Sequence, residues 1–330
     1  MRIGTVWAVL AALVATAQAA SAAPAPRPPH LAVYYATWSA KVGQSSGLDD
    51  RLVDLPSGVT QVLLAFMRPD ARYGGHLELA GTGLELPYPG SVLKASVEAL
   101  RARNPAVKIL ISVGGEQYAN WNQFDPGTMR RLIEDFALDG IDLDFEPSSP
   151  NCRSLSGHLS CESDALLRRV VEAARAALPR PIMIWLTATN TGAYGEGAWR
   201  DARPTGAPTY GVFVPLLRDA GRMARLDGVS IMAYDAGPTY RPLEAYAAYR
   251  SYFRGAILMG FTPPPEAWGG HAYSVQEAAE TLKSAMRLGA NGSMVFAIGK
   301  APPADPSPVT PDVDRLIAGL LDAARVPLAD

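Results

Sequence analysis

Cysteine and histidine are scarce in this sequence, which contains two cysteines and four histidines among 330 residues. The histidines are scattered, and no cysteine–histidine cluster has the spacing of metal ligands. The chain also lacks a phosphate-binding P-loop and a dinucleotide fingerprint. We therefore expect no metal site and no cofactor.

An excess of charge of either sign is absent too. The formal net charge is −2, with 19% of the residues charged and 48% hydrophobic. This balance is typical of a globular protein with enough apolar material for a large core, and it implies no surface for a polyanion. We expect no nucleic-acid partner, and we expect a monomer.

Long apolar runs are missing except near the start of the chain. Residues 1–22 contain Arg2, a short apolar run, and then small residues that offer cleavage after Ala19 or Ala22. A membrane anchor is the alternative, but it needs about 20 apolar residues, and this run is shorter. The segment is typical of a secretory signal, so we expect a secreted or periplasmic protein with no membrane attachment after cleavage. Residues 23–30 are a proline-rich linker.

The only two cysteines, Cys152 and Cys161, lie nine positions apart. In an exported chain a disulfide is the usual state of such a pair, and two reduced thiols are the alternative. The bridge would close a short loop directly after an acidic segment. We expect this loop to form a rigid rim there.

Eight short apolar segments are predicted to be β-strands, and segments of helical period lie between most of them. The predicted strands are 31–36, 61–66, 107–113, 140–145, 181–187, 228–234, 256–261 and 293–298. The clearest predicted helices are 91–103, 129–138, 161–178 and 275–289. Eight βα units in about 300 residues predict an α/β protein with one (β/α)₈ (TIM) barrel over 31–330 and no second domain. The first unit holds at most a short helix.

The fourth predicted strand carries LDGIDLDFEP, residues 138–147, with four acidic side chains. Alternation along a strand places Asp142, Asp144 and Glu146 on one face, which in a barrel is the interior. Successive carboxylates there are about 6.6 Å apart by strand rise. Two full charges at that distance repel by about 2.5 kcal/mol at an effective dielectric near 20. At least one of the three should therefore hold a proton at neutral pH.

A carboxylic acid kept protonated at the open end of a barrel strand suits general acid catalysis of glycoside cleavage. Glu146 is nearest that end and has the longest reach, so we predict that it is the acid. A calcium site or an exposed acidic strand is the alternative, but the intervening Ile, Leu and Phe residues are not those of a solvated strand. Asp139 has the opposite parity, and capping the turn into the strand explains it as well as catalysis does.

Three motifs, in order, resemble those of glycoside hydrolase family 18, the chitinases and related endo-β-N-acetylglucosaminidases. DGIDLDFE (139–146) resembles the family's signature, SVGG (112–115) its Ser-x-Gly-Gly motif, and MAYD (232–235) its Met-x-Tyr-Asp motif. YYATW (34–38) is similar to its first-strand aromatic pattern. The resemblance extends along most of the chain.

The resemblance implies substrate-assisted hydrolysis with retention at the anomeric carbon. Glu146 would protonate the leaving oxygen while the sugar's own N-acetyl carbonyl attacks the anomeric carbon and forms an oxazolinium. Asp144 would hold the acetamido N–H, and Asp142 beneath it would share a proton. Tyr234 would hydrogen-bond the acetamido oxygen, and Asp235 would contact the sugar near the cleaved bond. Strand spacing alone does not distinguish this mechanism from one with an aspartate nucleophile.

Other matched positions imply a sugar-binding groove. Tyr34, Phe66 and Met232 resemble the pocket around the cleaved sugar, and Trp38 resembles an aromatic platform further along. For Phe66 and Met232, ordinary packing inside the barrel is an equal alternative. Phe296 stands where the family usually has a tryptophan, so we expect it to form the floor of the central site.

Strand alternation predicts that Met294, Phe296 and Ile298 face inward on the eighth strand. Ser112, Gly114 and Gly115 are small and are expected to make room in the barrel. Trp121 and Trp268, on the loops after strands three and seven, match no motif and are expected to anchor those loops.

The segment between strands seven and eight is short, so we expect no large insertion domain. The open groove that follows from this favours internal cleavage of a chitin chain. Cleavage of N-glycans or peptidoglycan is the second enzymatic hypothesis. A carbohydrate-binding lectin on the same fold is the hypothesis of another class, and the retained Glu146 argues against it.

Overall fold

The computed structural model describes residues 29–202, 209–266 and 272–325. The predicted signal segment, most of the proline-rich linker and Trp268 lie outside these ranges. None of the helices within these ranges is long and apolar enough to cross a membrane.

Eight parallel strands form one closed barrel. They are β1 His30–Ala36, β2 Gln61–Met67, β3 Lys108–Gly114, β4 Gly140–Asp144, β7 Met183–Ala188, β8 Gly228–Ile231, β9 Ala256–Phe261 and β10 Gly292–Ile298. Two further strands, β5 Arg153–Leu155 and β6 His158–Ser160, make an antiparallel hairpin outside the barrel. The order around the barrel is β1-β10-β9-β8-β7-β4-β3-β2. All eight predicted strands are present, and the predicted (β/α)₈ barrel is confirmed.

Helices follow most of the barrel strands. They are α1 Asp50–Val53, α2 Gly90–Arg103, α3 Pro126–Phe136, α4 Asp164–Ala177, α5 Val214–Leu217, α6 Ala220–Met223, α7 Pro242–Tyr252, α8 Val275–Arg287 and α9 Val313–Arg325. The first unit has only the four-residue α1, as its weak pattern suggested. Helix α3 begins three residues before the predicted start because the Asp125 side chain caps it, accepting from the amides of Gly127 and Thr128.

The strands separate two apolar layers. The outer layer includes Ile141 and Leu143 of β4 and Phe145, which directly follows β4; all three pack outward against the helices. Asp142 and Asp144, on the other face, are buried inside the barrel. The predicted alternation along β4 is therefore confirmed, and it explains how a strand of this composition can be covered on both faces.

Alternation fails at one place in β10. Met294 and Ala297 belong to the inner cluster, with Phe296 packed against it, whereas Ile298 packs outward. The pairing of β1 with β10 shifts between Val33 and Tyr35, so strict period two does not hold there. The prediction was right for Met294 and Phe296 and wrong for Ile298.

Cys152 and Cys161 form the predicted disulfide across the base of the hairpin. The hairpin is also docked on the barrel through Leu159, which is buried. Glu196 accepts a hydrogen bond from the Leu159 amide, and Arg218 donates to the Leu159 carbonyl at 2.9 Å. Arg218 also pairs with Glu196 at 2.9 Å, so the rim is held by an ion pair as well as by the bridge.

Replacing both cysteines with serine is expected to lower the free energy of unfolding by about 2 kcal/mol, because the bridge restricts the unfolded chain over a short loop. Urea unfolding of the two proteins measures the difference. The docking of Leu159 should persist, so the variant should still fold. Thiol titration of the denatured, unreduced wild type should find no thiol, and two titratable thiols would contradict the assignment.

Candidate active site

The carboxyl end of β4 places three acids at the mouth of the barrel. Asp142 and Asp144 are 0% and 2% exposed, and Glu146, just beyond the strand, is half-buried. Gly114 of β3 pairs with Asp144, where a side chain in place of the glycine would come within 2.2 Å of the Asp144 carbonyl oxygen. Gly114 therefore makes room, as expected.

Three hydroxyl groups surround the Asp142 carboxyl. Tyr34 and Ser112 lie 2.8 and 2.7 Å from its Oδ2, and Thr187 lies 2.9 Å from its Oδ1. Tyr34 and Thr187 are also 2.8 Å from each other. Each hydrogen bond needs one proton, and the three hydroxyl groups supply only three protons for these four contacts. A proton on Asp142 would supply the fourth. Ser112 therefore does more than make room, which corrects the expectation for it.

All three carboxyls have raised pKa values. Burial is the first cause in each case, whereas we expected mutual repulsion to dominate. The charges of Glu146 and Asp142 raise the pKa of Asp144 further, to well above its usual range. The pKa of Glu146 rises to about 7. At least one acid is thus protonated at neutral pH, as predicted, although the larger cause is desolvation.

Hydrogen bonding around Asp142 also argues against a calcium site on this strand. Each of its oxygens lies within hydrogen-bonding distance of at least one hydroxyl group. Calcium takes six to eight oxygen ligands, largely from loops, and no such arrangement surrounds this carboxyl. The three donors oppose the rise in the pKa of Asp142 that burial causes.

The MAYD motif leaves β8 and turns over the mouth. Strand β8 ends at Ile231, three residues before the predicted end, and Asp235 has a left-handed φ of 53°. Asn190 Nδ2 donates to the carbonyls of Tyr234 and Asp235 at 2.9 and 3.2 Å, and Glu266 accepts from the Asp235 amide at 2.6 Å. These bonds fix the turn that carries Tyr234 and Asp235.

Tyr234 lies within electrostatic reach of the acids. Its side chain is 5% exposed. Burial raises its pKa well above the usual range, and the charges of Asp144, Asp235 and Glu146 raise it further. Tyr234 is therefore a neutral hydroxyl donor that faces a set of carboxyls.

Four aromatic rings are stacked across the mouth. Trp38 stacks on Phe66 at 6.1 Å and 19°, Phe66 on Phe296 at 6.3 Å and 24°, and Phe296 on Tyr234 at 6.4 Å and 22°. Tyr34 meets Phe296 edge to face at 5.4 Å. Trp38, at one end, is 49% exposed, while Phe66 and Phe296 are half-buried. We call Trp38, Phe66, Phe296 and Tyr234 the aromatic row.

The remaining predicted residues are placed as follows. Met232 is half-buried and packs against the inner apolar cluster beside the aromatic row. Trp121 is buried against Phe124 and Phe145 with ring centroids 5.8 and 5.2 Å away, which is the expected loop anchor.

Asp139 has a structural role at the opposite end of β4. Its carboxylate accepts from Arg101 at 2.6 Å, from Lys108 at 3.1 Å and from the Ile109 amide at 2.9 Å. These contacts join α2, β3 and β4 at the amino-terminal end of the barrel, far from Glu146 in the direction of the strand. Of the two explanations for Asp139, the structural one holds.

Sequence reasoning missed several residues of the site. Thr187 could have been found, because it has inward parity on a predicted strand. Glu116 directly follows SVGG, and its charge is the second cause, after burial, of the raised pKa of Glu146. Asn190 and Glu266 lie in loops and carry no motif, so no signal pointed to them.

Comparisons with known proteins find the same fold in solved chitinases and chitinase-like proteins. No family model matches the chain, and no curated protein matches it in sequence. A solved family 18 chitinase from Pseudoalteromonas aurantia superposes with a TM-score of 0.60 at 15% identity, over 89% of this chain and 99% of that one. A chitinase-like agglutinin from Robinia pseudoacacia gives 0.57 at 15% identity, over 89% and 99%. A fungal endo-β-N-acetylglucosaminidase of family 18 gives 0.57 at 16% identity, over 89% and 98%.

The protein is therefore a (β/α)₈ barrel that carries acids and aromatic rings at the carboxyl ends of its strands. More particularly, its fold is the chitinase-like fold of glycoside hydrolase family 18. The solved proteins that share it include glycosidases, an agglutinin and a pseudo-chitinase, so the fold alone does not decide between catalysis and binding.

Proposed function

We propose that this protein is a secreted chitinase that hydrolyses β-1,4-linked N-acetylglucosamine polymers with retention, by internal cleavage. The observation that carries the proposal is Glu146, a half-buried acid with a pKa of about 7 at the mouth of the barrel. A group with that pKa is protonated over most of the range in which a glycosidase works, and it can give its proton to a leaving oxygen.

The neighbours of Glu146 suit a nucleophile supplied by the substrate. Asp144 Oδ1 is buried and accepts no hydrogen bond within the described part of the chain, so it is available to hold the acetamido N–H. Tyr234 supplies a neutral hydroxyl for the acetamido oxygen. Asp142 lies below Asp144 on the same face of β4. A proton on Asp142 would complete the hydrogen bonds around its carboxyl, and the two aspartates would share that proton. Asp235, at the turn, would contact the sugar beside the cleaved bond.

The aromatic row supplies the apolar surface for the sugar rings. Sugar rings pack on aromatic faces, and the exposed Trp38 would take a sugar beyond the central site. Tyr34, Phe66, Met232 and Phe296 would line the central site itself. In this proposal the protein needs no metal or cofactor.

Export is part of the proposal. The signal-like residues 1–22 and the disulfide between Cys152 and Cys161 both fit an oxidising compartment. The partner would be chitin or another N-acetylglucosamine-containing glycan, and the mature protein would act as a monomer away from the membrane.

Cleavage of N-glycans or peptidoglycan remains the second enzymatic candidate, because both contain N-acetylglucosamine and a solved neighbour of the same fold is an endo-β-N-acetylglucosaminidase. A glycan-binding lectin is the candidate without catalysis. Glu146 favours an enzyme over a lectin, because sugar binding alone does not need a carboxyl held in its protonated form.

Incubating the protein with chitin oligosaccharides, an N-glycoprotein and peptidoglycan, followed by mass analysis of the products, tests the proposal. We expect short N-acetylglucosamine oligomers from chitin oligosaccharides, with internal bonds cleaved first. Cleavage of only the glycoprotein or peptidoglycan would favour the second candidate. Binding of oligosaccharides without any cleavage would favour the lectin.

Replacing Phe296 with alanine is expected to lower kcat/KM on chitin oligosaccharides about tenfold, because the ring stacks on both Phe66 and Tyr234 and its face would support the central sugar. Phe296→Trp should be tolerated or should improve kcat/KM. Phe296→Leu, which keeps an apolar side chain without a ring, separates stacking from filling of the site. If Phe296→Ala leaves kcat/KM unchanged while a substitution of Ala297 abolishes activity, Ala297 rather than Phe296 forms the floor of the central site.

A further inference from the structure

The register between the adjacent strands β3 and β4 brings the segments that carry Glu116 and Glu146 to the same end of the barrel, close enough for their charges to interact. Ser112 pairs with Asp142, and Gly114 pairs with Asp144. Glu116 is two residues after Gly114, and Glu146 is two residues after Asp144. The Gly115 amide donates to the Asp144 carbonyl at 2.9 Å, so the segments that follow β3 and β4 remain hydrogen-bonded to each other beyond the last paired residues of the strands.

The glycines before Glu116 turn the chain toward the open mouth. Gly114 and Gly115 have φ values of 107° and 75°, which other residues rarely adopt. Glu116 is exposed. No ion pair or side-chain hydrogen bond holds its carboxylate within the described ranges. Its negative charge is therefore not paired with any cation in the part of the chain that the structure describes.

We propose that Glu116 is a positioning residue that helps to keep the proton on Glu146 toward neutral pH and so extends catalysis to higher pH. The inference rests on the proposed role of Glu146 as the general acid. A carboxylate next to an acid disfavours the ionised form of that acid, because the two negative charges would repel each other. Glu116 acts through Glu146 and needs no contact with the substrate.

Every charged group that faces Glu146 enters this balance. Besides burial, the charge of Glu116 and then that of Asp235 raise the pKa of Glu146, while interaction with the Asp144 carboxyl lowers it. Of these three, Asp144 and Asp235 are proposed to touch the sugar. Glu116 is therefore the group whose charge can be removed without altering a proposed substrate contact.

Lys300 is a half-buried cation whose contacts lie on another loop. Lys300 Nζ donates to Thr262 Oγ1 and to the carbonyls of Pro263 and Pro265, all on the loop after β9. Its charge acts on Asp235 and Glu266 instead. Arg68, on the loop after β2, is paired with Asp70 at 3.0 Å.

The first test is the pH profile of kcat/KM on a chitin oligosaccharide for wild type and Glu116→Gln at low salt. Removing the charge should move the alkaline limb to lower pH by about half a unit, the size expected for two screened charges on neighbouring strand ends. With an acid that titrates near pH 7, the variant should be about threefold slower than wild type at pH 8 and nearly equal to it at pH 5. High salt should reduce the difference.

Two further variants separate charge from structure. Glu116→Asp keeps the charge and should keep most of the alkaline limb. Glu85→Gln is the matched control, since Glu85 is also exposed on a loop near Tyr118 and its removal changes the net charge equally. It should leave the profile unchanged. A loss in Glu116→Gln that is uniform over pH would indicate a structural role and would overturn the proposal.

A second measurement does not depend on activity. In protein with ¹³C-labelled glutamate side chains, the Glu146 carboxyl is assigned by its absence in Glu146→Gln, and Glu266, which also has a pKa of about 7, by its absence in Glu266→Gln. The midpoint of Glu146 should fall in Glu116→Gln. An unchanged midpoint would refute the proposal. If wild type cleaves no glycan, the proposed function fails separately, and this titration still decides whether Glu116 acts on Glu146.

Discussion

Glu146→Gln is expected to lower kcat on chitin oligosaccharides by about 10²–10⁴-fold while leaving oligosaccharide binding nearly intact. Glutamine fills the same space, but it cannot give a proton to the leaving oxygen. The side chain is half-buried and has a pKa of about 7, so the wild-type residue carries that proton below pH 7 and loses it as the pH rises through 7. Steady-state kinetics and isothermal titration with an oligosaccharide measure the two effects separately.

Glu162→Gln provides a matched control for this substitution. Glu162 is an exposed carboxyl near the disulfide, held by Asn151 at 2.8 Å, and it takes no part in the proposed mechanism. Its replacement should leave kcat unchanged. Near-full activity of Glu146→Gln would remove Glu146 as the general acid, and with it the basis of the proposed enzyme.

Asp144→Asn is expected to lower kcat by about 10²–10³-fold, the second largest effect. The amide oxygen could still accept the acetamido N–H, but the amide, unlike a carboxyl, could not pass a proton to Asp142 and become negative next to the positive charge that develops on the sugar. Burial at 2% exposure makes this loss large, because little solvent reaches the site to compensate. We expect KM to change much less than kcat.

Asp139→Asn tests whether the effect at Asp144 is specific. Both aspartates belong to the same acidic segment, but Asp139 binds Arg101 and Lys108 at the other end of the barrel. Its replacement should lower the free energy of unfolding and leave kcat close to wild type. If the two substitutions lowered kcat equally, the loss would reflect general disturbance of β4 rather than chemistry at Asp144.

Eight short apolar segments, with segments of helical period between most of them, were enough to predict the barrel. Each of the eight strands is a run of apolar residues that is buried on both faces, so its identity depends little on distant contacts. The acids of β4 were predicted for the same reason, because Asp142 and Asp144 interrupt such a run on one face only. The role proposed for Glu146 rests on its position at the end of that strand and on the resemblance of the motifs.

The parts that could not be predicted depend on contacts between distant segments. Asn190 fixes the Tyr234 carbonyl from 44 positions away, and Glu266 binds the Asp235 amide from 31 positions away. Neither residue lies in a periodic segment that would indicate its direction. Ile298 was placed on the wrong face because the register of β10 depends on its pairing with β1, which the sequence of β10 alone does not contain.

The cause of the raised pKa values was also beyond the sequence. The strand rise is enough to calculate the repulsion between the carboxylates, but the extent to which the carboxyls are buried depends on the side chains that cover them. Tyr34, Ser112 and Thr187 come from three other strands and enclose Asp142 completely. Desolvation therefore outweighs the repulsion that could be calculated from spacing.

The anomeric configuration of the first product tests the central claim most directly, because it distinguishes attack by the substrate's own N-acetyl group from direct attack by water. Cleavage of a β-linked chitin oligosaccharide is followed by proton NMR from the first minutes, before mutarotation. The proposed mechanism predicts that the newly formed reducing ends are β at first and only later equilibrate with α. Reducing ends that are α at first would contradict it.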